Sequence, residues 1–134
     1  MNSKIAFCAL GVVQDERTKN ISAYNILEEI QVQSFPVVMS QIFFFTLLIK
    51  TPDDQEEYDC IFKTFCNGNE IFQFPIHISF QGKLRNRVII TLNHLTIPEV
   101  GRLYFKLFYN ENILSEYDIN VGVIPAAHPE QIPA

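Results

Sequence analysis

Residues 42–49 are almost entirely apolar, and the first charge after them is Lys50. β-Branched and aromatic side chains predominate in this segment, which favours a β-strand. Successive side chains of a strand point to opposite faces, and here both faces are apolar. We therefore interpret the segment as the central strand of the domain. One of its two faces consists of Ile42, Phe44, Thr46 and Leu48.

Shorter segments in the rest of the chain alternate apolar and polar residues with the period of two that half-buried strands show. Between them lie polar turns, of which Asn67-Gly68 is typical of a type I′ hairpin. Asn25 tolerates left-handed backbone and predicts a bend in the second strand, while residues 27–31 are compatible with a helical turn instead. Strands are predicted over residues 4–13, 21–32, 42–49, 57–66, 72–80, 88–92, 103–109 and 113–123. The predicted fold is all-β: an antiparallel β-sandwich of about eight strands, immunoglobulin-like or a related Greek key.

A chain of 134 residues fits one domain and can bury a core without a disulfide or a structural metal. We assign residues 1–124 to a single β-sandwich domain. Residues 125–134 contain three prolines and form a C-terminal tail, since proline cannot donate to a sheet. This tail is predicted either to be loose or to pack along a surface.

The net charge of −5 argues against nucleic acid, which binds basic surfaces. No apolar run approaches the 18 or so residues of a membrane span. Cys8, Cys60 and Cys66 lack the spacing of a metal or redox motif, which indicates buried thiols in a reducing compartment. We expect a cytoplasmic protein with no nucleic-acid or membrane partner.

Acidic side chains cluster around the turn that follows the central strand. With Asp15 or Asp118 from a second loop they would make a calcium site, but neither residue sits in a repeated Asp pattern, and a solvated surface is the simpler interpretation. The cluster consists of Asp53, Asp54, Glu56, Glu57 and Asp59. Lys83, Arg85 and Arg87 form a basic cluster near another turn, which is compatible with a weak anion contact or with an ordinary solvated hairpin.

The three histidines, His77, His94 and His128, belong to no metal or nucleophile motif. We therefore predict no catalytic residue, no metal ligand and no cofactor. An enzyme whose site assembles without a recognisable motif is a remote alternative.

The second apolar face of the central strand requires a cover. A second copy of the chain, another protein, the tail or a lipid-like ligand would each provide one. We predict a non-enzymatic, self-associating interaction module that uses Ile42, Phe44, Thr46 and Leu48 as its interaction face. The alternative is a small apolar ligand bound between the sheets. Its pocket would be lined by Tyr58, Phe62, Phe72 and Phe74.

Several short motifs occur together in a characteristic order: Cys8 in the first strand, the segment 22–30, Phe35-Pro36, and the segment 101–107. This order resembles a family of small, uncharacterised bacterial β-sandwich proteins with a Cys-Asp, Lys-Leu-x-Leu-x-Gly-Ile-Phe, Phe-Pro and Gly-x-Tyr-x-Phe-x-Leu pattern. The resemblance extends from residue 7 to residue 121 and implies the fold, but no activity, cofactor or catalytic set. The chain departs from the pattern at Ala9, Asn25 and Leu103.

Overall fold

The segments predicted as strands lie in β-strands of the computed structural model, which describes residues 1–125. Nine strands are present in this part of the chain. They are β1 (Asn2–Gln14), β2 (Ile21–Ile26), β3 (Glu29–Val32), β4 (Val37–Ile49), β5 (Glu57–Cys66), β6 (Asn69–Ser79), β7 (Arg85–Ile97), β8 (Gly101–Tyr109) and β9 (Asn112–Val123).

The strands form two sheets, with the orders β2-β1-β4-β7 and β3-β9-β8-β5-β6. All neighbours pair antiparallel except β3 and β9, which are parallel. The order β9-β8-β5-β6 is that of strands G, F, C and C′ of an immunoglobulin domain, and β1-β4-β7 is that of strands A, B and E. The predicted all-β sandwich is therefore confirmed. Strand β2 has no counterpart in the immunoglobulin scheme.

The segment predicted as one strand over residues 21–32 is two strands in different sheets. Strand β2 belongs to the four-stranded sheet, whereas Glu29–Val32 pairs with β9 in the five-stranded sheet. Asn25 has a φ of 52°, the left-handed conformation that its side chain tolerates. The predicted bend is thus present, while the alternative of a helical turn over residues 27–31 is wrong.

The core lies between the two sheets. Phe44 of β4 contacts the rings of Phe62 and Phe105 from the opposite sheet, with ring centroids 5.1 and 6.5 Å apart. Tyr58 packs edge-on against Phe80 and Tyr109. These rings occupy the region that the alternative assigned to an apolar ligand: Tyr58 and Phe62 are core residues and Phe74 packs against the core, whereas Phe72 is exposed.

The predicted interaction face of β4 is wrong. Ile42, Phe44, Thr46 and Leu48 are all fully buried and point into the sandwich. The opposite face of β4 is the one that points outward. Because both faces are apolar, the pattern along β4 did not reveal which of them the second sheet covers. The tail, which was one of the possible covers for this strand, falls mostly in residues 126–134, outside the described residues.

Candidate binding groove

The β1–β2 hairpin folds back over the outer face of the four-stranded sheet. β1 pairs with β4 as far as Ala9, opposite Phe43, and beyond this point with β2 alone. A straight continuation would carry the hairpin turn about 17 Å further along the sheet, at ~3.3 Å per residue. Instead, the Lys19 carbonyl oxygen accepts a hydrogen bond of 2.7 Å from Arg87 Nη1. Arg87 lies in the other direction, since it pairs with Leu47.

Close packing of a tyrosine on a glycine accompanies the folded-back hairpin. Tyr24 of β2 pairs with Gly11 of β1, and its ring lies directly over the glycine. A Cβ atom at position 11 would lie 1.8 Å from Tyr24 Cζ. Only glycine therefore permits this position of the ring.

The hairpin turn is held by the carboxylate of Asp15. Its Oδ1 accepts hydrogen bonds of 2.8 Å from the backbone N–H groups of both Thr18 and Arg17. These bonds lower the pKa of Asp15 from its ordinary value. The turn therefore keeps its own structure and presents the Lys19 carbonyl toward β7.

Two rows of side chains cross the outer face of the sheet beneath the hairpin. In one row Phe45 lies between Phe7 and Ile89, and the rings of Phe7 and Phe45 stack with centroids 5.0 Å apart. In the other row Leu47 lies between Ile5 and Arg87. Neighbouring strands are ~4.8 Å apart, so each row spans three strands in about 10 Å. The rows form a floor that is apolar on β1 and β4.

Hairpin and floor together enclose a groove of about 920 Å³. Ile21, Ala23 and Ile26 of β2 line it from the hairpin side. The groove is open to solvent at the floor edges, where Ile5 and Ile89 remain 49% and 41% exposed. Apolar side chains thus face the same space from two sides.

The basic cluster predicted near the turn before β7 lies at one end of this groove. Lys83, Arg85 and Arg87 all line it and are exposed. Among the described residues, no carboxylate lies within 4 Å of these three cations, whereas Lys50, Lys63 and Arg102 each have one. The groove therefore has an apolar floor and a positively charged end.

A family profile matches residues 4–122, almost the whole described part of the chain. The chain belongs to DUF6941, a family of unknown function. This confirms the resemblance to an uncharacterised β-sandwich family that the sequence motifs indicated. No curated protein matches the sequence.

Among solved structures, an immunoglobulin-like protein from Pseudomonas aeruginosa is similar to this chain at 13% sequence identity. The match covers 85% of this chain and 90% of that protein, with a TM-score of 0.43. Within the described residues of this DUF6941 chain, we find no helix with the length and apolar character needed to cross a membrane.

The acidic residues considered for calcium do not converge. Asp54 accepts hydrogen bonds from the N–H and hydroxyl of Thr51, Asp15 holds the β1–β2 turn, and Asp118 pairs with Arg102. Over residues 1–125, no three His, Cys, Asp or Glu side chains are grouped closely enough to hold a metal ion. The structure does not bring these side chains together as one site.

His77 does have two carboxylate neighbours on the outer face of the five-stranded sheet. Its Nδ1 lies 2.8 Å from Asp59 Oδ1, and its Nε2 lies 3.2 Å from Glu57 Oε1. The hydrogen bond to Asp59, followed by that to Glu57, raises the pKa of this exposed histidine. His94 lies on β7, in the other sheet. His128 is outside the described residues.

All three cysteines are buried. Burial raises the pKa of Cys8 well above its ordinary value and that of Cys60 to about 11. Cys66 is also shifted upward by burial, and its thiol donates to the Glu99 carbonyl at 3.6 Å. The thiols are packed as small hydrophobic groups, as the sequence predicted.

The sequence alone did not reveal the groove, because its walls come from separated segments of the chain. Hydrophobic residues at positions 5, 7, 45, 47 and 89 alternate with core residues in three different strands. The signals that pointed to it were the second apolar face of the central strand and the basic cluster at residues 83–87. Only the register of β1, β4 and β7 shows that the apolar face and the basic cluster lie next to each other.

Proposed function

We propose that this chain is a non-enzymatic binding module that holds the apolar chain of a small molecule in the groove under the β1–β2 hairpin. The single observation that carries this proposal is the pair of apolar walls. Phe7 and Phe45 form the floor, and Ile21 and Ala23 face them from the hairpin. An apolar chain in the groove would remove the exposed parts of its apolar lining, chiefly on Ile5 and Ile89, from water, at about 25 cal/mol per Å² of apolar surface; Phe45 itself is only 4% exposed.

The size of the groove favours a small molecule over a protein surface. Small-molecule sites typically have volumes of roughly 300–1,000 Å³ and are mostly apolar with a few polar groups. At about 920 Å³ the groove is within this range. The proposal keeps the sequence-based alternative of an apolar-ligand protein, but moves the site from between the sheets to the outer face of one sheet.

The polar groups of the groove favour binding over catalysis. Its described lining contains amides, a serine and cations, but no carboxylate, imidazole or thiol. General acid–base catalysis most often uses imidazole or carboxylate groups, and a nucleophilic serine such as Ser79 needs an adjacent base to activate it. A binding role is therefore the simpler one for this lining.

A titration with 1-decanol followed by ¹H–¹⁵N NMR tests the proposal. We expect shifts at outward-facing residues of β1, β4 and β7 and at β2. Ala23→Phe places a ring in the groove and should abolish these shifts. Ser22→Phe is the matched control, since residue 22 is exposed and absent from the groove lining. Shifts elsewhere on the molecule, or equal binding by the Ala23→Phe variant, would contradict the groove as the site.

A second candidate function is self-association, as predicted from the sequence but through a different surface. The observation in its favour is β7, a 13-residue strand at the edge of the four-stranded sheet. Edge strands offer unpaired backbone groups to another chain. Light scattering over a range of concentrations, with Ile89→Lys and Val38→Lys compared, would show a dimer that only the β7 substitution weakens. A monomer at all concentrations would exclude this function.

A further inference from the structure

We infer that the small molecule bound in the groove is an amphipathic anion, with its anionic head at Lys83, Arg85 and Arg87 and its apolar chain over Phe45 and Leu47. The inference rests on the proposed function, because it names the chemical class of that ligand. The head is a carboxylate or a phosphate, since guanidinium and ammonium groups bind both.

The distribution of charge along the chain supports an anionic head. The chain has 10 Lys and Arg against 15 Asp and Glu, yet three of its cations fall within residues 83–87. Among the described residues, no acidic group lies within ion-pair distance of these three cations. A cluster of like charges without counter-ions is electrostatically unfavourable, and an anion relieves this repulsion.

Glu56 is the carboxylate to consider as an internal counter-ion, because it contacts the same loop. Its Oε1 lies 2.8 Å from Lys50 Nζ, and its Oε2 accepts the Gly82 N–H at 2.7 Å. Both contacts, Lys50 first, lower the pKa of Glu56. Its charge is therefore already balanced by the buried Lys50, and Glu56 is not among the residues that line the groove.

The register of the sheet places the cations next to apolar side chains on the same face. Arg87 lies directly opposite Leu47, and Ile89, two residues further along β7, lies opposite Phe45. Along this face of β7, the side chains therefore change from charged at residue 87 to apolar at residue 89. A ligand with its head at Arg85 and Arg87 would have its chain on Leu47 and Phe45, under the hairpin. This arrangement matches a molecule that has one charged end and one apolar end.

Two of the three cations can be removed without disturbing the hairpin. Arg87 holds the hairpin through Lys19, so its removal would change the roof as well as the charge. Lys83 and Arg85 have exposed side chains outside that contact. Lys83→Gln/Arg85→Gln therefore removes two charges from the groove end and leaves the apolar walls in place. Lys63→Gln/Lys106→Gln removes the same number of charges from the five-stranded sheet.

The test is isothermal titration calorimetry with four ligands of equal chain length: decanoate, decyl phosphate, 1-decanol and decylammonium. We expect the wild-type protein to bind the two anions roughly tenfold or more tightly than decanol, as charge-assisted hydrogen bonds add to the apolar contribution. Their affinity should fall with added salt, while that of decanol should not. Comparison of decanoate with decyl phosphate identifies which head is preferred.

In the Lys83→Gln/Arg85→Gln protein the affinity for anions should fall about tenfold toward that of decanol, which should be unchanged. The control pair should leave all affinities as in the wild type. Equal affinity for decanoate and decanol, preference for decylammonium, or an equal loss in the control pair would overturn the anionic head while leaving the apolar groove intact. Failure of all four ligands to bind would overturn the groove and the head together.

Discussion

Arg87 donates a hydrogen bond of 2.7 Å to the carbonyl oxygen of Lys19, 68 residues earlier in the chain. The two residues come from opposite sides of the sheet, since β4 and β1 separate β7 from β2. This contact fastens the tip of the β1–β2 hairpin above the outer face. It makes the hairpin a cover for surface that would otherwise be open.

We expect Arg87→Met to release the hairpin tip without unfolding the sandwich, because methionine keeps an apolar stem but removes the donor. Trypsin should then cleave at Arg17 or Lys19 faster than in the wild type, as cleavage requires local opening. The exposed Arg85→Met is the control and should be cleaved at the wild-type rate. Equal rates in all three proteins would show that the bond does not hold the hairpin.

The two faces of the four-stranded sheet predict opposite outcomes when an aspartate is placed on each of them. Phe44→Ala should lower the free energy of unfolding by about 3–5 kcal/mol, because it leaves a cavity between the sheets. Phe44→Asp should prevent folding altogether, since it buries an unpaired carboxylate. Ile5→Asp on the outer face should fold, because Ile5 is half-exposed. Circular dichroism with urea unfolding measures all three, and a folded Phe44→Asp protein would contradict the assignment of that face to the core.

Two buried threonines provide a matched pair. Both are fully buried, but Thr64 Oγ1 has no hydrogen-bond partner among the described residues, whereas Thr46 Oγ1 lies 2.9 Å from the hydroxyls of Ser3 and Ser115. Thr64→Val should raise the free energy of unfolding by about 1 kcal/mol, because it removes an unsatisfied hydroxyl. Thr46→Val should lower it by a similar amount, ~1 kcal/mol. Denaturant unfolding of both variants checks the signs, and the same sign for both would contradict the hydrogen-bond pattern.

The contribution of His77 to the stability of the protein should depend on pH. Its pKa is raised above 6.5 by the hydrogen bonds to Asp59 and Glu57, so the protonated form is favoured by folding. The resulting stabilisation is fully present below pH 6.5 and is lost as the pH rises through the raised pKa. NMR titration of the His77 ring should show this pKa, and Asp59→Asn should move it back toward 6.5. A titration unchanged by Asp59→Asn would indicate that the contact does not exist in solution.

The buried thiols should react slowly with a thiol reagent. With a pKa of about 11, Cys60 would have roughly 0.1% thiolate at pH 8, and Cys8 is shifted strongly in the same direction. Ellman's reagent should therefore modify the folded protein slowly and all three cysteines at once after denaturation. Rapid labelling of the folded protein would contradict their burial.

Local chemistry was sufficient to predict most of the strands and several of the turns. Strand β5 has its predicted bounds, and β2 begins where the predicted second strand begins. Asn67 and Gly68 both have positive φ, as a type I′ turn requires. Proline cannot donate to a sheet and favours an edge strand or a bulge, and β6, which contains Pro75, lies at the edge of its sheet. Each of these features depends on residues close together in the chain.

The sequence by itself determined that this protein is an all-β sandwich of the family it belongs to, because strand periodicity and turn chemistry are local properties. The tertiary structure alone decided which face of β4 enters the core, that residues 21–32 divide between two sheets, and that the β1–β2 hairpin folds back to Arg87. These features depend on contacts between residues far apart in the chain. An apolar residue pattern favours burial equally well against any apolar partner, so only the packing of the sheets chose between the two faces of β4.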